Sequence, residues 1–181
     1  MDLFVTKSKR HHGFTLIELI VAIIILGIIA IIAMPKFINL RQDAETATHE
    51  ATGGAFKGGI TLANVKWAAA GNSGPADNLQ VFGGGASGQL DINLWGFPAQ
   101  NYPPLESSPR LNNTNDCMSV WRTILEDAPL VSNSADTVDA VYRAVYQGPD
   151  QCYFYYLPEQ TMSIYYDSRD GSVITDSDPN S

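Results

Sequence analysis

A single acidic residue, Glu18, lies inside a long apolar stretch near the N-terminus. From Phe14 to Met34 the chain has 21 residues, of which only Thr15 and Glu18 are polar. A carboxylate in hydrocarbon costs about 2–3 kcal/mol even on lenient scales, so it usually has a specific partner. Cleavage between Gly13 and Phe14 would create an ammonium group one helical turn from Glu18, on the same chain or a neighbour. The alternative is that Glu18 stays solvated at the membrane interface.

The stretch that carries Glu18 has the length of a membrane-spanning helix. Leu19–Met34 has no charged or polar side chain, and the 21 residues from Phe14 span about 31 Å, close to a hydrocarbon core of about 30 Å. A basic cluster (Lys7, Lys9, Arg10) precedes it, so the positive-inside rule places the N-terminus in the cytoplasm. A secretory signal peptide would have a shorter apolar region and a small-residue cleavage site. We therefore expect the segment to remain in the mature protein.

After Pro35 the pattern becomes that of an amphipathic helix, which Gly71–Pro75 ends. Pro35 lacks an amide proton and is expected to kink this long helix rather than end it. Apolar and small residues at spacings of three and four predict the buried face. They are Phe37, Leu40, Ala44, Ala47, Ala51, Ala55, Gly58, Leu62, Val65 and Ala69. A second set should let a sheet approach closely. It comprises Gly53, Gly54, Gly58 and Gly59.

The rest of the chain predicts a small domain ending in an antiparallel sheet. Short apolar runs between residues 76 and 115 predict brief strands or packed turns. Asn115-Asp116 is expected to cap a helix from Cys117 to about Glu126, with Val120, Trp121, Ile124 and Leu125 inward. Four β-rich segments between turn sequences predict the sheet. They are Val138–Tyr146, Cys152–Leu157, Met162–Tyr166 and Ser172–Thr175.

Net charge, cysteine content and motifs limit the partners, the compartment and the chemistry that we expect for this chain. The formal net charge is −8, and it becomes about −10 without residues 1–13, so nucleic acid is not expected as a partner. Cys117 and Cys152 suit one disulfide in an oxidising compartment, the alternative being two unrelated buried thiols. No nucleophile or zinc motif is present, so we expect neither an enzyme nor a metal site, and no cofactor.

The N-terminal residues Gly13–Glu18 (GFTLIE), with their basic leader and apolar continuation, resemble the type IV pilin (class III) prepilin signature. The resemblance implies an α+β fold in which a long N-terminal helix packs against a small antiparallel sheet. Prepilin peptidase would remove residues 1–13, and Phe14 would be N-methylated. Glu18 would pair with a neighbouring N-terminus during assembly. Gly27 and Pro35 match positions where family helices bend.

The same resemblance implies a division of the chain and a set of partners. It gives a leader at 1–13, a transmembrane and filament-core helix at 14–35, an amphipathic helix at 36–70 and a head at 71–181. The subunit would be a single-pass inner-membrane protein with a periplasmic head, and then part of an extracellular pilus. Its partners would be prepilin peptidase, other pilin subunits, the inner-membrane assembly platform and the lipid bilayer. A Cys117–Cys152 disulfide would tie the short helix to a strand.

Shorter segments resemble the mannose-sensitive haemagglutinin (MSHA) pilins and their minor subunits. They are Pro35–Leu40, Gly53–Trp67, Trp95–Pro98, Trp121–Arg122 and Ile124–Leu125. This resemblance implies a minor pilin that serves surface attachment. The alternatives are a pseudopilin of type II secretion, a pilus adhesin that binds glycans, and an ordinary single-pass protein.

Three weaker patterns have competing interpretations. Acidic residues near the C-terminus could hold calcium, but their spacing favours solvated acids. They are Asp167, Asp170, Asp176 and Asp178. The tyrosines of Tyr153–Tyr156, with Tyr165 and Tyr166, could form a sugar platform, but cross-strand pairing is favoured. His49 stands alone on the helix and is expected to face solvent.

Overall fold

The computed structural model describes residues 13–102 and 107–178. Residues 1–12, which hold almost all of the expected leader and its basic cluster, lie outside the described part, as do residues 179–181. A long apolar N-terminal helix is followed by antiparallel sheets, which confirms the predicted α+β fold of the type IV pilin kind. The chain divides into two units, Met1–Ala44 and Glu45–Ser181.

The first unit is the N-terminal part of helix α1, which spans Leu16–Ala69 and contains Pro35 without ending there. Every large apolar side chain from Phe14 to Met34 is at least 42% exposed. Of the residues that the structure describes, only α1 is long and apolar enough to cross a membrane. A helix that is apolar all round belongs in a lipid or protein environment rather than in water. The predicted kinks at Gly27 and Pro35 stay predictions.

The second unit contains two sheets and a short helix. A three-stranded antiparallel sheet has the order β1-β2-β3 (Ala76–Gln80, Gln89–Ile92, Pro98–Gln100), with a 3-10 turn at Ala86–Gly88. A five-stranded sheet has the order β4-β5-β6-β7-β8 (Val131–Ser132, Tyr142–Gly148, Gln151–Tyr156, Ser163–Asp167, Ser172–Asp176). The four predicted strands are therefore confirmed within a few residues. The short parallel strand β4 was not predicted, because two residues leave no periodic pattern.

Helix α2 spans Thr114–Ile124 and begins earlier than predicted. Asn113, rather than Asn115-Asp116, caps it: the Asn113 side chain accepts from the Asp116 amide at 3.2 Å, and the Asp116 carboxylate accepts from the Asn113 amide at 3.1 Å. Asp116 is thus the N3 residue of a capping box and not the cap itself. The predicted inner face of α2 is buried, with Trp121 fully enclosed.

The face of α1 that packs in the second unit differs from the predicted one. Its buried residues are His49, Gly53, Phe56, Gly59, Ile60 and Ala63. The Phe56 ring explains the choice, because its centroid lies 5.4–5.7 Å from the rings of Trp121, Phe154 and Tyr166. The predicted face is exposed instead, with Leu62 at 42% and Val65 at 55%. Burying one large aromatic residue outweighs burying several alanines.

Two of the four helix glycines provide the predicted close approach. A Cβ atom on Gly53 would lie 2.9 Å from Thr175 Cγ2 of β8, and one on Gly59 would lie 2.5 Å from Ile124 Cγ2 of α2. A Cβ atom on Gly54 or Gly58 would have no neighbouring atom within 4 Å, so the prediction is wrong for these two glycines. The close neighbour of Gly59 is a helix and not the sheet.

Candidate functional site

The first turn of α1 is organised around Thr15 and Glu18. The Thr15 amide and hydroxyl donate to Glu18 Oε2 at 2.9 Å and 2.7 Å, and the Glu18 amide donates to Thr15 Oγ1 at 3.3 Å. The Leu19 amide donates to the Thr15 carbonyl at 3.2 Å. Thr15 is therefore the N-cap of α1, and the two side chains form a capping box.

The capping box gives Glu18 a local hydrogen-bond partner before any cleavage. Sequence reasoning treated Glu18 as a carboxylate without a local partner, and it treated Thr15 only as an interruption of the apolar stretch. The structure gives Glu18 two donors on Thr15. The missed signal was the Thr-x-x-Glu spacing, which is a helix-start pattern in its own right. Both donors belong to Thr15, which follows Gly13 in the chain, so cleavage before Phe14 would leave them in place.

The expected cleavage point lies just outside the helix. Gly13, Phe14 and Thr15 have no helical assignment, and α1 begins at Leu16. The Phe14 side chain is 87% exposed. The bond between Gly13 and Phe14 therefore lies in non-helical backbone.

The predicted disulfide is present in the second unit. Cys117 of α2 and Cys152 of β6 are bonded, with their Cα atoms 5.8 Å apart and a sequence separation of 35 residues. Both cysteines are fully buried. The bond ties the short helix to the sheet and closes a long loop, which by the chain-entropy model contributes about 3–4 kcal/mol.

Among the acidic residues near the C-terminus, Asp167 is hydrogen-bonded to neighbouring side chains. Asp167 is 5% exposed, so the expectation of a solvated acid is wrong for it. Its carboxylate accepts from Arg169 Nη2 at 2.5 Å, from Gln151 at 2.9 Å and from the Tyr165 hydroxyl at 3.1 Å. The bonds from Arg169 hold the pKa of Asp167 well below its usual range, although burial acts in the opposite direction. Among described residues, no group of three or more His, Cys, Asp or Glu is placed for a metal ion.

The tyrosine run alternates between the two faces of the five-stranded sheet. Phe154, Tyr156 and Tyr166 are buried in the core. On the other face, Tyr153 contacts its cross-strand neighbour Tyr165 with ring centroids 5.0 Å apart, so the predicted cross-strand pairing is confirmed. The Arg143 guanidinium lies 5.3 Å from the Tyr155 ring centroid.

The prediction that His49 faces solvent is wrong. His49 is fully buried, and its ring contacts those of Tyr142 and Tyr156. A single histidine on a polar helix surface gives no sequence signal of burial, because Tyr142 and Tyr156 lie far along the chain from it.

Comparison with known proteins bears on the N-terminal segment. Residues 8–34 match the family described as "Prokaryotic N-terminal methylation motif". The chain carries a prokaryotic N-terminal methylation motif. This methylation motif includes Gly13, Phe14 and Glu18, together with the whole apolar stretch to Met34.

The chain is also similar to the type IV narrow pilus major component PilA5 of Thermus thermophilus. The two are 42% identical over 57 residues, which is 32% of this chain and 49% of the relative. The matched part thus covers about half of the relative's length. No solved structure gives a significant match to the chain.

Proposed function

We propose that this chain is a structural subunit of a type IV pilus, most like a minor pilin of the MSHA group and of the MshB kind. The single observation that carries the proposal is Glu18, an acid at the first turn of a helix whose large side chains from Leu19 to Met34 are all apolar and exposed. The methylation motif and the similarity to a pilus component support it. The MSHA assignment rests on the segment resemblances alone.

Processing comes first in the proposed pathway. Prepilin peptidase cuts between Gly13 and Phe14 on the cytoplasmic side, and Phe14 is then N-methylated. The non-helical backbone at Gly13–Thr15 supports access to this bond. Cleavage removes the basic leader and leaves a positive charge at Phe14, one helical turn from Glu18.

Assembly then exchanges lipid for protein around α1. In the membrane pool the Thr15 hydroxyl and amide satisfy Glu18, which lowers the cost of keeping a carboxylate near hydrocarbon. On the assembly platform, the ammonium of a neighbouring subunit approaches the same carboxylate. Apolar helices gain little by leaving lipid for one another, so packing and this ion pair set the axial register.

The second unit is the globular head of the proposed subunit. A buried disulfide suits the periplasm and the cell exterior, where thiols are oxidised. The net negative charge of the chain keeps filaments soluble. In this account the first unit anchors the chain in the inner membrane before assembly, and the head reaches the surface as part of the pilus for surface attachment.

The proposal is tested by measuring how much of the subunit enters sheared filaments. Glu18→Gln keeps the size and polarity of the side chain but removes the charge, so it should reduce incorporation at least tenfold while processed subunit still accumulates in the membrane. Asp43→Asn removes one carboxylate from an exposed position of α1 and is the matched control, which should assemble normally. Glu18→Gln subunits in normal numbers in filaments would contradict the proposal.

A pseudopilin of type II secretion would share the processing and the Glu18 requirement. The two systems are separated by deleting either secretion or pilus genes in the host and asking which deletion abolishes incorporation of this subunit. Loss only in the secretion mutant would assign the chain to the secretion apparatus.

A further inference from the structure

His49 occupies a junction between α1 and the five-stranded sheet. The chain has three histidines, of which His11 and His12 belong to the expected leader, so His49 is the only one from Phe14 onward. It is fully buried. Histidine is the side chain whose ordinary pKa makes it change charge between about pH 5 and pH 8, which is the pH range of most natural environments.

The partners of His49 select one neutral form of the ring. Nε2 lies 3.3 Å from the Ser163 carbonyl of β7 and 3.1 Å from the Asp176 carbonyl of β8. Carbonyl oxygens only accept hydrogen bonds, so Nε2 carries the proton. Nδ1 lies 3.0 Å from the Tyr142 hydroxyl of β5 and accepts from it in the neutral ring. One imidazole thus joins α1 to three strands.

Burial opposes a positive charge on the His49 ring. Burial raises the pKa of Tyr142 to about 12, so this neighbour stays neutral. The Tyr156 ring of β6 lies 5.5 Å away and is uncharged. The nearby acids are Asp176 on β8 and Glu50 on α1. Burial lowers the pKa of His49, and the two carbonyl bonds and these two acids act in the opposite direction without reversing it.

We propose that His49 is an acid-sensitive latch. It holds the second half of α1 against the five-stranded sheet and holds the edge strand β8 beside β7. In the neutral form its three hydrogen bonds are complete. A second proton on Nδ1 would turn that atom into a donor and place a charge in a dry site, so the Tyr142 contact must rearrange. The disulfide joins α2 to β6 and makes no covalent bond to α1 or β8, so acid should loosen α1 and β8 first.

The direction of the pH effect follows from linkage. Unfolding exposes His49 and returns it to an ordinary pKa of about 6.5, whereas the folded group binds its proton less readily. The stabilisation is therefore complete above about pH 6.5 and is lost as the pH falls below it. In that range the unfolding equilibrium constant should rise by up to about tenfold per pH unit, because one proton is taken up.

The test uses the full chain in detergent micelles with His11→Gln and His12→Gln, so that His49 is the one histidine. Nitrogen-15 NMR should show the Nε2–H form near neutral pH and a titration midpoint below about 6.5. A midpoint at or above that value, or the Nδ1–H form, would overturn the proposal. This readout needs no change at His49 and does not depend on filament assembly.

A second readout measures unfolding by denaturant between about pH 7 and about pH 5. The parent should lose more stability over this range than His49→Gln, whose amide can donate and accept at the same place without titrating. Amide exchange should lose protection in β8 and near His49 before α2. Equal pH dependence in parent and variant would also overturn the latch.

Discussion

Gly53 and Gly54 are neighbours on α1 but have different surroundings. A methyl group on Gly53 would collide with Thr175, whose branched side chain is too short to move aside, whereas Gly54 faces open space. We expect Gly53→Ala to destabilise the second unit by about 1–3 kcal/mol through overpacking. Gly54→Ala should stabilise it by about 0.5–1 kcal/mol, because alanine is the better helix former.

Denaturant unfolding of the two alanine variants, side by side in micelles, checks this prediction. The pair is matched in chemistry and in position on the helix, so the opposite signs report the packing against β8 alone. Two variants of equal stability would show that α1 does not approach β8 as closely as the structure has it.

At the residue scale, sequence reasoning singled out Glu18 and the two cysteines but not their local environment, and the role of Gly13 stays a prediction. Glu18 was recognisable because an acid in a hydrocarbon stretch is costly. Its bond to Thr15 required reading the same residues as a helix start. The burial of His49 could not be read at all, because its acceptors lie 114 and 127 residues further along the chain.

Helix α2 illustrates how a few polar side chains set the limits of an element. Asn113 satisfies the amides of Asn115 and Asp116 at the helix start, whereas the Asn115 side chain is exposed. Asn113→Ala should cost about 1 kcal/mol by removing the cap. Asn115→Ala should change stability by less than about 0.5 kcal/mol, as surface substitutions usually do.

The shift in thermal midpoint of the two variants, measured with the disulfide intact, checks the assignment. If Asn115→Ala were the more damaging of the two, the helix would begin where the sequence pattern had placed it, and the observed capping box would be wrong.

Elements were predictable from the sequence to different degrees, for physical reasons. The last four strands are rich in aromatic and β-branched residues and lie between turn sequences, which is typical of strands. The second half of α1 carries two apolar faces, one of alanines and one with Phe56, Ile60 and Trp67. Both faces have the same helical periodicity, so the sequence pattern does not distinguish them. The aromatic residues of α2 and of the sheet that contact Phe56 decide which face is buried.

On the scale of the whole molecule, the two units differ in whether their large apolar side chains are buried or exposed. The second unit buries its aromatic residues around Phe56, Trp121 and Phe154. The first exposes its apolar residues, including Ile31 at 76%. Such a surface requires lipid or other helices around it. The proposed pathway supplies each in turn, first the membrane and then the filament.

The proposed assembly depends on a positive charge that proteolysis creates close to Glu18. The most direct measurement is intact and N-terminal mass spectrometry of the protein extracted from membranes of cells that contain prepilin peptidase. We predict a chain that lacks residues 1–13 and begins at Phe14 with one added methyl group on its amine. A chain that still carries Gly13 and the residues before it, in cells that process their other pilins, would contradict the account.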